Sequence, residues 1–179
     1  MKRTCWVEIL LVSIFVFGSC YARSQHPKPS EQLHFSAEDP SVLHPVSIPD
    51  DVMAMLREDE MVRTNLEDEE SPPEKLPSSW FSASAVHLSG GKSADLVVVA
   101  NQPLAGANVT TFWVFRSTSS GHELVLTAPA HDLIIKSSRS KEYRDIELMS
   151  ATAVNVTSIV LRFDGNRYFE YRAKTEPIR

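Results

Sequence analysis

ADLVVVANQPLAGANVTTFWVFR, residues 94–116, contains two apolar runs joined by a loop with Pro103 and Asn108. Within residues 94–100 and 110–116, positions 96–100 and 112–115 are consecutively apolar, so each run is apolar on both faces of a strand. Such a strand belongs in the middle of a sheet covered on both faces, because exposed apolar surface forgoes about 25 cal/mol for each Å² that burial would gain. The stretch therefore predicts the centre of a β domain.

Short strand patterns recur on both sides of this centre and are separated by turn sequences. The turns contain Gly, Ser or Asp-Gly, and they lie at residues 89–91, 119–121, 138–140 and 164–166. Closely spaced strands with such turns predict a mainly β domain over residues 79–175, an antiparallel meander of about 7–8 short strands. The pattern leaves a sandwich, an open barrel and blade-like sheets as alternatives.

Three segments are expected before the β domain. Residues 23–46 contain Pro, Ser and His without periodicity, which predicts a flexible tether. Residues 47–63 place Val52 and Leu56 on one stripe, which predicts one N-terminal helix that packs against the β domain or, alternatively, binds a partner through its apolar face. Residues 64–78 are acidic and rich in Pro, which predicts a linker in solvent.

Charge differs between the two halves of the chain. Residues 23–78 contain 13 acidic and 5 basic side chains, whereas residues 79–179 contain 9 acidic and 11 basic ones. Nucleic acid is bound through a concentrated basic face, and neither half has that composition. We therefore exclude nucleic acid as a partner.

Residues 1–22 have the pattern of a secretory signal peptide. Lys2 and Arg3 precede an apolar run over residues 9–17, which is too short for a permanent membrane helix, and small residues follow it. Cleavage after Ala22 would release a periplasmic or secreted protein. The sequence therefore predicts export.

A second route of processing is also open. Residues 16–20, Val-Phe-Gly-Ser-Cys, resemble a bacterial lipobox, in which Cys20 receives lipid. Because each buried CH₂ contributes about 0.8 kcal/mol, a multiply acylated Cys20 would anchor the protein, and this lipid is the one membrane contact expected. The other cysteine, Cys5, also lies in the signal, so the mature chain is predicted to be disulfide-free and to lack a cysteine nucleophile.

One loop raises the question of a metal. Residues 87–96, HLSGGKSADL, resemble the calcium loops of FG-GAP or VCBS-type repeats, which read D-x-N-x-D-G-x-x-D-L, and Asp95 matches that pattern. The positions of three ligand acids hold His87, Ser89 and Gly91, whereas calcium takes about 6–8 oxygen ligands. The loop therefore predicts a metal-free turn, and no motif in the chain predicts a metal or a cofactor.

His131 and Asp132 are adjacent in the sequence. Neighbouring residues on a strand point to opposite faces, so these two side chains are not expected to bond to each other. A catalytic use of His131 is accordingly not favoured.

Aromatic residues give the remaining indication of function. Most should lie in the core, and the rings to consider for exposure are Trp113, Tyr143, Tyr168 and Tyr171. Exposed rings beside charged residues would form a sugar- or peptide-binding face. The predicted binding residues, which include one from the central loop, are Trp113, Asn108, Tyr143, Arg144 and Asp145.

Across residues 80–171, the order of the motifs W-F, V-H-L, D-L-V-V-V, F-W-V-F-R and R-F-D-G is similar to an uncharacterised family of exported bacterial proteins, and that resemblance implies no activity. The N-x-T sequons at Asn108 and Asn155 are glycosylation acceptors only in a eukaryotic pathway. The leading hypothesis is an exported cell-envelope protein that binds a protein or glycan and is not an enzyme. The alternatives are an envelope hydrolase whose site forms only in three dimensions and a hydrolase inhibitor that uses loop 101–109.

Overall fold

A computed structural model describes residues 31–39, 41–91 and 93–178 of the chain. Those residues form nine strands in two antiparallel sheets and two α-helices, which confirms the prediction of a mainly β domain. The helices are α1 (Asp50–Arg57) and α2 (Glu60–Asp68). The strands are β1 (His34–Ser36), β2 (Phe81–Val86), β3 (Asp95–Ala100), β4 (Thr110–Thr118), β5 (Gly121–Ala130), β6 (Asp132–Ser140), β7 (Tyr143–Ala151), β8 (Asn155–Phe163) and β9 (Tyr168–Pro177).

The two sheets are consecutive meanders. One sheet has four strands in the order β2-β3-β4-β5, and the other has five in the order β1-β6-β7-β8-β9. The chain passes from the first sheet to the second at His131, directly between β5 and β6. Inner side chains of both sheets share one apolar core, so the sheets pack face to face as a sandwich.

Strands β3 and β4 lie inside the four-stranded sheet, as the apolar runs predict. Val97 and Phe112 point into the core between the sheets, whereas Val98 and Trp113 point to the opposite face. That second face is covered by α1 and α2. Both faces of the central strands are therefore buried, which explains why consecutive positions are apolar.

The single helix predicted over residues 47–63 is two helices. α1 ends at Arg57, and Asp59 begins a new helix because its Oδ1 accepts hydrogen bonds from the backbone N–H groups of Met61 and Val62. Aspartate is among the preferred residues at this capping position. The apolar stripe continues through the break and extends to Leu66, which is buried.

The segments predicted as a tether (23–46) and a solvated linker (64–78) differ from expectation in their described parts. β1 pairs with β6, and Phe35 is buried in the core between the sheets. Leu76 is buried beneath the helices. The sequences of the two segments do not predict this packing, because their buried apolar residues are isolated and follow neither helical nor strand periodicity.

Several predictions fall outside the described ranges. These are the signal peptide (1–22), the lipidation at Cys20 and the first part of the tether, residues 23–30. Within the described ranges, no helix combines the length and apolar character needed to cross a bilayer. The described residues contain no cysteine, so the sandwich holds together without a disulfide.

Candidate functional site

A groove crosses the outer face of the five-stranded sheet, on the side turned away from the core. It has a volume of ≈ 330 Å³ and spans β6, β7, β8 and β9. We call it the outer-face groove. Its lining residues are Lys136, Ser138, Asp145, Glu147, Val160, Arg162, Tyr171 and Arg172.

Strand alternation brings most of these side chains to one face. Asp145 and Glu147 lie two residues apart on β7, and Val160 and Arg162 lie two residues apart on β8. Their neighbours in sequence, such as Ile146, point into the core instead. Residues with a period of two share one face of a sheet, so the groove is a direct product of the strand pattern.

Two irregularities in strand pairing bring further side chains to the lining of the groove. On β9, Arg172 pairs with Val160 and Glu170 pairs with Leu161, which leaves Tyr171 as an extra residue without a partner on β8. The register of β6 also shifts between Ile135 and Arg139. Such bulges change the direction of side chains, and Tyr171 and Ser138 both line the groove at these places.

Asp145 is a buried carboxylate, with only 3% of its surface exposed. The hydroxyl of Ser138 donates a 2.7 Å hydrogen bond to Oδ2, and that of Ser140 donates one of 2.7 Å to Oδ1. Buried polar groups require partners, and the two serines supply them. The floor of the groove is therefore fixed by hydroxyl–carboxylate bonds.

Glu147 is held by a cation and a hydroxyl. Nζ of Lys136 lies 2.6 Å from Oε2, and the hydroxyl of Ser158 donates to Oε1. These two bonds, together with the charge of Arg172, lower the pKa of Glu147 although partial burial opposes them. Glu147 is consequently an ionised, internally paired carboxylate at neutral pH.

Arg162 stacks on the ring of Tyr171. Its Cζ lies 3.4 Å from the ring centroid, and Tyr171 is 53% exposed. A guanidinium over an aromatic face is a favourable pair, and stacking leaves the N–H edge directed away from the ring. Nε of Arg162 is buried and has no hydrogen-bond partner among the described residues.

Of the five predicted binding residues, Asp145 alone lines the outer-face groove. The prediction that Trp113 belongs to an exposed aromatic face is wrong: its side chain is 0% exposed, beneath the helices. Its indole N–H donates to Asp59. The apolar run predicts that its second face is covered but does not show by which elements. In the structure, α1 and α2 cover that face.

The other predicted binding residues are dispersed. Tyr143 packs on Phe163 with ring centroids 4.2 Å apart. Arg144 donates from Nε to the backbone oxygen of Lys136 at 2.6 Å. Asn108 is exposed, in the loop between β3 and β4. The structure therefore does not bring these three residues together with Asp145 as one face.

The groove residues that the sequence missed are mostly charged. They are Lys136, Glu147, Arg162 and Arg172, together with Ser138 and Val160. A signal for them exists in β8, where Ser158, Val160 and Arg162 alternate with core residues. The sequence does indicate Tyr171 as a ring to consider for exposure, but the groove residues around it come from three other strands.

The prediction that His131 and Asp132 do not bond to each other is also wrong. Nδ1 of His131 lies 2.9 Å from Oδ2 of Asp132, and Nε2 lies 3.4 Å from Oε1 of Glu38. His131 occupies the bend between β5 and β6, so strand alternation does not separate the two side chains. Nε2 of His34 completes the cluster, 3.0 Å from Oδ1 of Asp132.

Hydrogen bonding controls the ionisation of this cluster. The bond to Asp132 raises the pKa of His131, with a smaller contribution from Glu38 and against the effect of burial. Burial alone would raise the pKa of Asp132, but bonds from His131, Ser36 and His34 together lower it. Both nitrogens of His131 are occupied by carboxylates, so the cluster joins β1 and the residues after it to β6.

Asp95, the acid of the FG-GAP-like loop, supports backbone instead of facing a ligand. Its Oδ2 accepts the N–H of Leu88 at 3.0 Å, and its Oδ1 accepts that of Ser117 at 2.9 Å. Among the described residues, no group of three or more His, Cys, Asp or Glu side chains has an arrangement that could hold a metal ion. The resemblance to those repeats stays a prediction.

Comparison of the chain with protein-family models, curated proteins and solved structures finds no significant match. The fold and the site define this protein as a helix-backed β-sandwich with a charged groove on the outer face of its five-stranded sheet.

Proposed function

We propose that this protein works outside the cytoplasm as a non-enzymatic binding module and that the outer-face groove is its ligand site. The observation that carries the proposal is the convergence of charged, hydroxyl and aromatic side chains from four strands on one cavity. Internal bonds already hold Asp145 and Glu147 in place. A preorganised polar site on rigid strands favours recognition, because little ordering entropy is lost on binding.

A hydrolase is the second candidate, because two carboxylates line the same groove. Glycosidases use such a pair, with one carboxyl group protonated to act as the acid. Here Lys136 and Ser158 lower the pKa of Glu147, and both oxygens of Asp145 accept hydrogen bonds from serine hydroxyls. A general acid needs a raised pKa, so the lowered pKa of Glu147 favours binding over hydrolysis.

Inhibition of a hydrolase through loop 101–109 is a third candidate. The loop is anchored by Leu104, which is buried, and it closes through bonds from Ala105 N to Asn101 O and from Gly106 N to Val109 O. These contacts would keep its exposed tip in one conformation. The loop lacks the cluster of charged side chains that the outer-face groove contains, and for this reason we place it after the groove.

Export forms part of the proposal and rests on the signal pattern of residues 1–22. Expression of the full chain in a bacterium, followed by fractionation, tests it. Transfer out of the cytoplasm supports export, and retention in the cytoplasm contradicts it. A shift of the exported protein from membrane to soluble fractions in Cys20→Ala would identify the lipid route, whereas an unchanged distribution would identify cleavage after Ala22.

Binding is tested with the full chain on an array of immobilised oligosaccharides and peptides. Tyr171→Ala removes an exposed groove ring, and Phe169→Ala removes a ring that is 44% exposed on the same strand but does not line the groove. We expect Tyr171→Ala to weaken binding by about tenfold or more and Phe169→Ala to change it by less than about twofold. Equal affinities of the three proteins would exclude the groove as the site.

A further inference from the structure

We infer that the outer-face groove recognises a carboxylated oligosaccharide, whose acid group is bound by Arg162 and Arg172 while a sugar ring lies at Tyr171. This inference rests on the proposed function, because it assigns a ligand class to the same site. Three observations support it: the charge of the lining, an unpaired guanidinium donor and the size of the cavity.

The lining carries an excess of positive charge. Lys136, Arg162 and Arg172 provide three cations, against the two anions Asp145 and Glu147. Both anions have internal partners, since Lys136 pairs with Glu147 and two serine hydroxyls bond to Asp145. Because the hydroxyl bonds leave the formal charge of Asp145 in place, three cations against two anions give the lining one net positive charge, and Arg162 and Arg172 provide the cations that an anionic ligand would contact.

Arg162 is the residue most suited to bind a carboxylate. The planar guanidinium presents paired N–H donors whose spacing matches the two oxygens of a carboxylate group. Nε of Arg162 has no acceptor among the described residues, although it is buried. Arg162 lines the groove with its guanidinium stacked on the half-exposed ring of Tyr171, so the N–H donors that point away from the ring are placed to meet a ligand oxygen.

The size of the groove favours a small ligand over a protein surface. Its volume of ≈ 330 Å³ falls at the lower end of pockets for small molecules, which measure about 300–1,000 Å³, whereas a stable protein partner buries about 800 Å² on each side. An exposed aromatic ring beside hydroxyl and carboxylate groups offers both an apolar contact and hydrogen bonds. A sugar ring has matching apolar and hydroxyl surfaces.

Calorimetry on the full chain tests the inference with defined probes. The probes are uronate and sialate oligosaccharides, the corresponding neutral oligosaccharides, inorganic phosphate and a short Asp/Glu peptide. We expect at least one acidic oligosaccharide to bind about tenfold or more tightly than its neutral counterpart. Added salt should reduce that difference, because a partly exposed ion pair is screened.

Arg162→Met removes the guanidinium and keeps an apolar stem over Tyr171. We expect Arg162→Met to remove the preference for the acidic oligosaccharide by lowering the affinity for it about tenfold or more. If Arg162→Met lowers the melting temperature, Arg172→Met is the second variant, and we expect the same loss of affinity. Arg63→Met is the matched control, because Arg63 is an exposed arginine on α2, outside the groove. Its binding should equal that of the unaltered protein.

Each contrary result has a distinct meaning. Equal binding of acidic and neutral sugars that still depends on Tyr171 overturns the carboxylate inference and leaves the proposed function intact. Tighter binding of phosphate or of the acidic peptide than of any acidic sugar also overturns it. Absence of binding to every probe and to the whole array contradicts both proposals.

Discussion

Nε1 of Trp113, at the centre of the four-stranded sheet, donates a 2.8 Å hydrogen bond to Oδ2 of Asp59. The other oxygen of that carboxylate caps α2 by accepting two backbone N–H groups. One side chain thus begins a helix and attaches it to a buried strand. This bond satisfies the indole N–H, which water cannot reach, and it fixes the position at which α1 and α2 separate.

Asp59→Ala should destabilise the protein by about 2–4 kcal/mol. Loss of an N-cap costs about 1 kcal/mol, and an unsatisfied buried donor adds about 1–3 kcal/mol. The free energy of unfolding is measured by chemical denaturation followed by tryptophan fluorescence. Asp68→Ala, an exposed acid at the end of α2, is the matched control, and an Asp59→Ala loss that exceeds the control by only the cap's about 1 kcal/mol would show that the Trp113 bond contributes nothing.

Phe35→Ala tests whether the chain before α1 is part of the folded sandwich. Phe35 is 2% exposed between the sheets, and truncation of such a phenylalanine costs about 3–5 kcal/mol. Leu43→Ala, in the same segment but at a side chain that is 66% exposed, should change the free energy of unfolding by less than about 0.5 kcal/mol. A flexible tether would instead make both substitutions equally neutral.

The His131 cluster predicts a stability that depends on pH. The bond to Asp132 raises the pKa of His131 above its unfolded value of about 6.5. The stability from protonated His131 is therefore complete below about pH 6.5 and is lost as the pH rises through the higher, folded-state pKa. Asp132, whose pKa is lowered, is still ionised throughout that window.

His131→Gln should accordingly lose more free energy of unfolding at about pH 5.5 than at about pH 9. NMR titration of the unaltered protein should give a midpoint for His131 above about 6.5. His44→Gln replaces an exposed histidine that lies before α1 and serves as the control for removal of an imidazole. An equal loss at the two pH values would mean that the bonds to Asp132 and Glu38 do not stabilise protonated His131.

Asp95→Ala should cost about 2–4 kcal/mol, because it leaves the backbone N–H groups of Leu88 and Ser117 without their acceptor. Ser93→Ala, at an exposed position of the same loop, should be close to neutral. Thermal unfolding with and without millimolar calcium provides the second measurement. A rise of the melting temperature with calcium in the unaltered protein, absent from Asp95→Ala, would establish a cation site and contradict the metal-free turn.

The centre of the fold could be predicted because its signal is local. Strands β3 and β4 bury alternate side chains between the sheets and beneath the helices, as Val97 and Val98 show, so a run of consecutive apolar residues indicates burial on both faces. The Asp164-Gly165 turn between β8 and β9 is of the same kind, with Gly165 at a positive φ of 112°. In both cases, residues that are adjacent in the sequence determine the local structure.

The packing of β1 and the position of the groove depend on distant residues. Phe35 meets strands that follow it by about a hundred residues, and three residues are too short a strand to show alternation. The ring of Tyr171 reaches the groove only through a register shift, which sequence alternation does not reveal. Likewise, the sequence around Trp113 does not show that the two helices cover its ring, so Trp113 is predicted as a binding residue.

The bulge on β9 makes the groove depend on one residue that lies outside the core of the sandwich. β9 has ten residues and β8 has nine, and Tyr171 is the residue in excess. A deletion of that one residue would leave equal strands and an undisturbed core, and it would take away the ring on which Arg162 rests. The lining of the groove therefore depends on the number of residues in β9, whereas the core between the sheets does not include Tyr171.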